Sequence, residues 1–368
     1  MIIKRLLVIL LISATSLACK ESGKNEEHVV EDTDNKFSHP PLVTDRYTAD
    51  PSAHVFEGKI YIYPSHDLPS EVPQDDWGSH FDMQDYRVYS MEGPDGPVTD
   101  HGRILHVDDI PWAKRQLWAP DAAEKNGKYY LYFPAKDEQD LFKIGVAVAD
   151  RPEGPFVPQP EPIAGTYSID PAVFTDDNGE YYLYWGGIWG GQLQKWKDET
   201  YTSVGDQPTD GEPDPEQPAL APKIARLSED MLSLAETPKD VILLNNDGSA
   251  IKAGDHDKRF FEAAWVHKHN GTYYFSYSTG DTHYIAYGTG DNPYGPFTYQ
   301  GVILNPVQGW TNHHSITEFE GQWYLFYHDT ELSGETHLRN IKMAPLEHLP
   351  DGTIKTIDSM QQYSGNRE

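Results

Sequence analysis

The sequence is poor in cysteine, in basic residues and, after its first 18 residues, in long hydrophobic stretches. Cys19 is the only cysteine, so no intramolecular disulfide can form and stability must come from a packed core. The 29 Lys and Arg stand against 58 Asp and Glu, a formal net charge of −29, which argues against nucleic acid as a partner. No segment after residue 18 is apolar for long enough to span a bilayer.

The first 18 residues carry the pattern of an export signal. Lys4 and Arg5 precede the apolar run LLVILLI, and the small-residue stretch SATSLA ends at Cys19. This arrangement resembles a bacterial lipoprotein signal peptide over residues 1–18, in which Cys19 becomes the lipid-modified first residue. The alternative is an ordinary secretory signal with an incidental cysteine. Both interpretations predict an exported chain, and the first anchors it to the cell envelope, at the periplasmic or the surface face, through the lipid alone.

Two segments have compositions that do not join a core. Residues 19–40 have low hydrophobicity, no aromatic residue before Phe37 and no periodicity, which predicts a flexible tether. Residues 197–222, KDETYTSVGDQPTDGEPDPEQPALAP, are rich in Pro, Asp and Glu and predict an exposed loop inside the folded pattern. This insertion is either a solvated loop without function or a rim element that shapes the mouth of the functional site.

Turn residues and aromatic residues are abundant, with 30 Gly, 28 Pro, 23 Tyr and 9 Trp. One pattern recurs five times: a short strand, a turn with Gly at its tip, and a second strand with Tyr-x-x-Tyr spacing or its Trp and Phe variants. Five units of about four strands each predict an all-β fold, a five-bladed β-propeller, over residues 41–368. The five segments are DPSAHVFEGKIYIYPSHD (50–67), APDAAEKNGKYYLYFPAKD (119–137), DPAVFTDDNGEYYLYWGG (170–187), FEAAWVHKHNGTYYFSYSTGD (261–281) and HHSITEFEGQWYLFYHDT (313–330).

Acidic residues recur near the start of these repeats. In a propeller the innermost strands line a central channel, so the starts of the five first strands meet around the axis although they are far apart in sequence. Four carboxylates and an imidazole facing one cavity would repel one another and lose hydration, a cost that indicates function rather than stability. The residues at these positions are Asp50, Asp121, Asp170, Glu262 and the pair His313 and His314.

Taken together, these motifs resemble glycoside hydrolase family 43. The resemblance runs from about residue 45 to the C-terminus and rests, in order, on ADPSAHVFEGKIYIYPSHD, WAPD, SIDPAVF, FFEAAW, HHSITEF and HLRNIK. Family 43 enzymes are five-bladed propellers that cleave xylose or arabinose from plant polysaccharides, which implies a β-xylosidase or an α-L-arabinofuranosidase. The resemblance also implies Asp50 as general base, Glu262 as general acid, and Asp170 as the carboxylate that raises the pKa of the acid and orients it.

These residue types suit the hydrolysis of a glycosidic bond. A protonated carboxyl must donate to the leaving oxygen, and an ionised carboxylate must activate water. In an inverting enzyme that water fits between sugar and base, so the two carboxyls stand roughly 6.5 to 9.5 Å apart. Repulsion from Asp170 would hold Glu262 protonated near neutral pH. We therefore predict inversion without a covalent glycosyl-enzyme.

Further residues are candidates for binding the sugar. Arg339 matches the family arginine that reaches the sugar, with a surface ion pair as the alternative. Asp121 is either a contact to a sugar hydroxyl or a structural cap. His66 and Asp67, which end the first repeat as SHD, resemble a family stretch and are assigned to the pocket wall. Because the apolar face of a sugar packs on aromatic rings, the remaining candidates are aromatic. They are Phe81, Trp118, Trp185, Trp265 and Trp310.

The predicted chemistry requires no cofactor, and calcium is the one metal that the resemblance introduces. His314 resembles the family histidine that ligates a central calcium directly or through water. A buried structural histidine is the alternative, because calcium prefers oxygen ligands.

Three function classes stay open, all with an oligosaccharide or polysaccharide as partner. The first is an inverting glycosidase that removes xylose or arabinofuranose from xylan or arabinoxylan fragments; its two activities use the same carboxylates, so the sequence does not separate them. The second is a non-catalytic glycan-binding propeller lipoprotein. The third is a retaining glycosidase of a related five-bladed family, which would place Asp50 roughly 5 to 5.5 Å from the acid.

Overall fold

The structure, a computed structural model, describes residues 36–197 and 199–360. The predicted signal peptide, Cys19 and the tether up to residue 35 lie outside the described residues, and their assignments stay predictions. Within the described ranges the regular structure is β-strand apart from three short 3₁₀ helices. No helix in these ranges has the length and apolar character needed to cross a membrane. The 3₁₀ helices are Val107–Asp109, Trp189–Gly191 and Leu193–Lys195.

Five sheets follow one another along the chain and confirm the predicted five-bladed, all-β propeller. Blade 1 contains β1 Thr48–Phe56, β2 Lys59–His66, β3 Asp85–Met91 and β4 Thr99–His106. Blade 2 contains β5 Asp121–Lys125, β6 Lys128–Lys136, β7 Phe142–Ala149 and β8 Val157–Pro158. Both blades are antiparallel meanders in chain order.

The other three blades vary this plan. Blade 3 contains β9 Ala172–Thr175, β10 Tyr181–Trp185, β13 Lys223–Arg226 and β14 Lys239–Asp240, and a separate small hairpin joins β11 Trp196–Lys197 to β12 Thr200–Tyr201. Blade 4 contains β16 Glu262–His269, β17 Thr272–Ser278, β18 Ile285–Gly290 and β19 Phe297–Leu304, with β15 Leu243–Leu244 parallel to β19. Blade 5 contains β20 His314–Phe319, β21 Gln322–Asp329 and β22 Asn340–Leu346.

The first strands of the five blades, β1, β5, β9, β16 and β20, contact one another in a closed ring. A separate apolar cluster fills each of the five junctions between neighbouring blades. The aromatic residues of the second strands supply much of these clusters, as Tyr132 does between blades 2 and 3 and Tyr184 between blades 3 and 4. Burial of this apolar surface, at about 25 cal/mol per Å², is the main force that holds the blades together in a chain without disulfides.

The hairpin turns follow the chemistry predicted from the sequence. Four of the inner hairpins have two-residue turns in which both residues have positive φ, as at Asn126 (56°) and Gly127 (73°). Type I′ turns require this conformation, and their twist matches that of the flanking strands. The remaining hairpin, between β9 and β10, has a longer turn with Gly179 at φ 80°. The turns therefore fix the register of the first two strands of every blade.

Residues 36–40, which the sequence analysis assigned to the tether, lie against blade 5. The N–H of Leu42 donates to the carbonyl oxygen of Ile341, so this segment runs beside the outer strand β22. Phe37 is buried, and the ammonium of Lys342 lies 4.3 Å from the centre of its ring. The apolar side chain of Phe37 thus extends the folded domain to residue 36, five residues before the predicted boundary.

The predicted insertion, residues 197–222, lies between β10 and β13 of blade 3. Most of its described side chains are exposed, as the composition predicts, yet several hydrogen bonds attach it to the residues before it. Gln194 Nε2 donates to the carbonyl oxygen of Pro208 at 2.7 Å, and Lys195 Nζ donates to that of Gln207 at 3.1 Å. The insertion is therefore an exposed loop that is fastened to the domain.

Candidate active site

A cavity of about 420 Å³ opens at the ends of the inner strands where the five repeats begin. It collects residues that are more than 250 positions apart, from Asp50 in blade 1 to Arg339 in blade 5. All three carboxylates predicted to carry the chemistry line it, together with Arg339 and His313. The lining residues named in the sequence analysis are Asp50, Phe81, Trp118, Asp170, Glu262, Trp310, His313 and Arg339.

The backbone is distorted where each of the three carboxylates enters the cavity. Asp50 and Asp170 have φ of 49° and 55°, and Ala263, directly after Glu262, has φ of 60°. Asp50 and Asp170 both precede a proline, a position that strongly favours extended backbone. The register of β1 with β2 and of β16 with β17 shifts at these residues. Such bulges re-aim side chains at a cost of roughly 1 to 3 kcal/mol each, which is typical of functional sites.

Asp50 lies in a basic corner of the cavity. Arg339 Nη1 donates to Asp50 Oδ1 at 2.9 Å. The backbone N–H of Asp50 donates to His328 Nδ1 at 3.0 Å. Because His328 Nδ1 accepts, the ring proton is on Nε2, which donates to the carbonyl oxygen of Thr311 at 3.0 Å. Burial alone would raise the pKa of Asp50. Nearby positive charge, chiefly that of Arg339, outweighs burial and lowers this pKa to about 2. Asp50 is therefore ionised at neutral pH.

Glu262 and Asp170 form a pair whose pKa values are raised, in contrast to that of Asp50. The side chain of Glu262 reaches the cavity but is otherwise surrounded by protein, and this burial, followed by repulsion from Asp50, raises its pKa to about 8. Burial and repulsion from Glu262 raise the pKa of Asp170 well above its usual range. Asp170 Oδ2 accepts from the N–H of Ala263 at 2.8 Å, which fixes the strand beside Glu262. The pair therefore retains a proton at neutral pH, with burial as the first cause.

Arg339 is held in place by Asp67, which was predicted at the pocket wall but is not among the residues that line the cavity. Its Nη2 and Nε donate to the two oxygens of Asp67 at 2.7 and 2.8 Å, and its backbone N–H also donates to Asp67 at 2.8 Å. Both side chains are buried, and the guanidinium lies 4.8 Å from the ring centre of Phe81. This bidentate pair leaves Nη1 for Asp50 and orients the positive charge in the cavity.

His314, the candidate calcium ligand, lies behind the cavity rather than in its lining. It is buried, its Nε2 forms a hydrogen bond of 2.6 Å with Ser276 Oγ, and its Nδ1 has no hydrogen-bond partner among the described residues. Within those residues no three His, Cys, Asp or Glu side chains form a group that could hold a metal ion. The side chains around His314 therefore do not supply the oxygen shell that calcium prefers.

Four residues that were predicted to contact the sugar lie outside the lining of the cavity. Trp185 is fully buried between blades 2 and 3, and Trp265 is buried between blades 4 and 5, where its indole N–H donates to the carbonyl oxygen of Ile316 at 3.0 Å. These assignments were wrong for direct contact, because the rings fill blade junctions. His66 forms a hydrogen bond of 2.5 Å with Asp85 and does not line the cavity.

Asp121, the fourth of these residues, has the structural role that was its alternative interpretation. One of its carboxylate oxygens accepts from Ser52 Oγ at 2.5 Å and lies 2.6 Å from His54 Nε2. The other accepts from the N–H of Val173 at 2.5 Å, so the residue joins blades 1, 2 and 3. It lies on the inner strand β5 but outside the lining of the cavity.

Several residues of the site carried no sequence signal strong enough to assign them. Trp189 lines the cavity four residues after the incorrectly chosen Trp185, on the loop that follows β10. Asp75 and His80 reach the cavity from the long connection between β2 and β3. Asp67 was assigned to the pocket wall, but its pairing with Arg339, 272 positions away, was not predicted. Loop residues of this kind follow no periodic pattern, so only their spatial neighbours identify them.

Comparisons with known proteins agree with this geometry. Residues 99–354 match the family model of glycosyl hydrolases family 43. The chain is 57% identical to xylosidase/arabinosidase 43A of Humicola insolens, over 86% of this chain and 98% of that protein. It is 55% identical to a xylosidase/arabinosidase of Bacteroides ovatus, over 87% of this chain and 98% of that protein.

Solved structures give the same result. A family 43 β-xylosidase/α-arabinofuranosidase from a compost microbial metagenome, in complex with xylotriose and in a calcium-free form, superposes with a TM-score of 0.86 at 65% identity, covering 88% of this chain and 98% of that one. A family 43 enzyme of Xanthomonas citri complexed with xylose has a TM-score of 0.84 at 59% identity, covering 90% and 97%. The chain therefore belongs to glycosyl hydrolases family 43, the inverting glycoside hydrolases whose propeller it shares.

Proposed function

We propose that this enzyme removes single xylose or arabinofuranose units from fragments of xylan or arabinoxylan. Its relatives of more than 50% identity are named xylosidase/arabinosidase or β-xylosidase, and related structures contain xylose or xylotriose. Family membership supplies the reaction class, hydrolysis of a glycosidic bond with inversion.

The observation that carries the mechanism is a pair of carboxyl groups with opposite pKa shifts in one cavity. Asp50, with its pKa lowered to about 2, is the general base: it takes a proton from water as the water oxygen attacks the anomeric carbon. Glu262, with its pKa raised to about 8, is the general acid: it gives its proton to the glycosidic oxygen as that bond breaks. The product sugar leaves with inverted anomeric configuration.

Two further residues support these roles. Asp170 orients Glu262 through the N–H of Ala263 and, by repulsion, opposes ionisation of the pair. Arg339 keeps Asp50 ionised and faces the sugar beside it. The aromatic rings of Phe81, Trp118 and Trp310 offer apolar surface to the sugar rings.

Release of 4-nitrophenol from 4-nitrophenyl β-D-xylopyranoside and α-L-arabinofuranoside tests the substrate class. Wild type should hydrolyse at least one of them, and Glu262→Gln should be the slower enzyme on the same substrate. Proton NMR of the sugar at early times should show the inverted anomer of xylose. Equal, background-level rates for wild type and Glu262→Gln on both glycosides and on xylotriose would reject the proposal in favour of glycan binding alone.

The alternative classes are weaker. A retaining glycosidase disagrees with membership of an inverting family. A glycan-binding propeller without activity would have no use for a strained Asp50 beside Arg339 or for a buried pair of carboxyls, because both features cost stability.

We also propose that the mature enzyme is anchored to the bacterial envelope by a lipid on Cys19. The support is the sequence pattern of residues 1–18, a basic start followed by an apolar run and small residues before the cysteine. Metabolic labelling with a radioactive fatty acid should mark the wild-type protein and not Cys19→Ala. A labelled Cys19→Ala, or an unlabelled wild type, would favour an ordinary secretory signal.

A further inference from the structure

The indole of Trp189 forms part of the cavity wall and has an unusual conformation. Its ring packs edge-on against Phe261, with centroids 5.1 Å apart, and lies 5.8 Å from Trp310; all three residues line the cavity. Its φ of 53° lies in the left-handed region, which a bulky side chain adopts at a cost of roughly 1 to 3 kcal/mol. Such strain persists only where neighbouring residues hold it.

The backbone around Trp189 is tightly confined. A Cβ on Gly190 would lie 2.6 Å from the carbonyl oxygen of Trp77, and a Cβ on Gly191 would lie 2.7 Å from the side chain of Ile169. These close approaches fix where the loop runs. They do not fix the orientation of the indole, which depends on the contacts of the Trp189 side chain itself.

The polar contact of that indole is made by the acidic insertion. Trp189 Nε1 donates to Glu212 Oε1 at 2.7 Å, and Glu212 is residue 16 of the 26 in the insertion at 197–222. The insertion cannot move freely at this point, because Gln194 and Lys195 donate to the carbonyl oxygens of Pro208 and Gln207. Glu212 is thus presented to the back of the cavity wall by a fastened loop.

The second oxygen of Glu212 neutralises a buried cation. Arg259 Nη1 donates to Glu212 Oε2 at 2.9 Å, and Nη2 lies 3.4 Å from Asp281 Oδ1. The Arg259 side chain is 3% exposed and its guanidinium lies 5.7 Å from the ring centre of Phe261. A buried guanidinium requires carboxylate partners, so Arg259 holds Glu212 in position while Glu212 holds Trp189.

We propose that Glu212 is a positioning residue through which the acidic insertion acts on the active site. Glu212, held in place by Arg259, fixes the indole of Trp189 in the cavity wall. The position of this indole in turn sets the affinity for oligosaccharide. This inference rests on the proposed function for its kinetic consequence only. It selects the rim-element interpretation of residues 197–222 over the solvated loop without function.

The test compares Glu212→Ala with Glu216→Ala, a matched variant of the same insertion. Glu216 is exposed and pairs with Lys252 at 2.6 Å, away from the indole. We expect Glu212→Ala to raise KM for xylotriose about tenfold while kcat and its pH profile change less than about twofold, the signature of lost ground-state binding. Glu216→Ala should match wild type in both constants.

A double-mutant cycle with Trp189→Phe separates positioning from general loosening of the fold. Phe keeps an aromatic ring but cannot donate to Glu212, so Glu212→Ala should raise KM less than about twofold in the Trp189→Phe background. Glu212→Gln, which keeps an acceptor for the indole but not the charge, provides the second variant if Glu212→Ala does not fold. Its increase in KM should be smaller than that of Glu212→Ala and larger than that of Glu216→Ala.

Fluorescence gives a readout that does not depend on catalysis. Acrylamide quenching is measured in matched proteins with and without Trp189→Phe, and the difference between them gives the contribution of Trp189. The quenching constant of Trp189 obtained in this way should be higher in Glu212→Ala than in wild type. If wild type hydrolyses no xyloside or arabinofuranoside, the proposed function fails while this quenching difference still tests the positioning. The inference is overturned if Glu212→Ala leaves both KM and quenching unchanged, if Glu216→Ala has the same effect, or if the effects of Glu212→Ala and Trp189→Phe are independent.

Discussion

Asp50 and Glu262 occupy equivalent places in two blades and behave in opposite ways. Each belongs to the innermost strand of its blade, each lies at a bulge in that strand, and each lines the same cavity. Yet the pKa of Asp50 is lowered to about 2 while that of Glu262 is raised to about 8. Local structure therefore does not explain why the two pKa values are shifted in opposite directions.

The difference comes from what faces each carboxyl across the channel. Asp50 receives a hydrogen bond from Arg339, whose position is fixed by its bidentate pair with Asp67. The pKa of Glu262 is raised by burial and then by repulsion from Asp50, and these effects outweigh the opposing charge of Arg339. A propeller brings different blades to one axis, so identical positions in the repeat acquire different partners, and the partners divide the chemistry.

The largest effect should follow from replacing Asp50, the proposed general base. Asp50→Asn keeps the shape of the side chain but cannot take a proton from water, so kcat should fall on the order of 10²- to 10⁴-fold. Because water activation is needed whatever the leaving group, the loss should be similar for xylobiose and for 4-nitrophenyl xyloside. A loss confined to xylobiose would mean that Asp50 serves as the acid, which would reverse the comparison.

Replacing Glu262, the proposed general acid, should have an effect that depends on the leaving group. Glu262→Gln should lose on the order of 10²- to 10⁴-fold in kcat on xylobiose, whose leaving alcohol requires protonation. The loss should be smaller on 4-nitrophenyl xyloside, because 4-nitrophenolate departs readily without a proton. Rates for wild type and variant on both substrates measure this; equal losses on both would argue against general-acid catalysis by Glu262.

A smaller effect is expected from replacing Arg339, whose charge lowers the pKa of Asp50. Arg339→Lys keeps a positive charge but loses the fork that binds Asp67 and Asp50 together, so the free energy of unfolding should fall by about 3 kcal/mol. The lower pKa in the pH profile of kcat/KM should rise, since the hydrogen bond to Asp50 is lost. Denaturant unfolding and the pH profile provide the two measurements. If the upper pKa moved and the lower one did not, Arg339 would belong with Glu262 rather than with Asp50.

The smallest effect concerns stability as a function of pH. Glu262 has a higher pKa in the folded than in the unfolded chain, so the folded state binds more protons and wild type loses stability as pH rises from about 4.5 to about 8. Glu262→Gln lacks this loss, so its Tm relative to wild type should rise by several degrees between pH 5 and pH 8. Asp50 adds no pH dependence in that window: its stabilisation is fully present there and is lost only as pH falls from about 4 toward 2. A constant Tm difference across the range would show that Glu262 is ionised in the folded enzyme.

Much of the fold was readable from local sequence. The turn residues and the alternation of aromatic residues predicted all five hairpins, because type I′ turns and paired strands depend on residues that are close along the chain. The same reasoning missed Phe37, since a single apolar residue in a polar segment gives no periodic signal. It also assigned Trp185 and Trp265 to the sugar, because a tryptophan beside a motif looks the same whether it faces the cavity or a neighbouring blade.

By itself the sequence determined which residues could react: two Asp-Pro steps and one Glu, each opening a repeat unit. Tertiary structure decided what each of them could do, because a pKa depends on burial and on charges within a few ångströms. Arg339, Asp67 and Asp50 come together across more than 250 positions of chain, and Glu212 reaches Trp189 only through the path of its loop. Contacts of that kind have no local pattern in the sequence, so they are set when the five blades close into a ring.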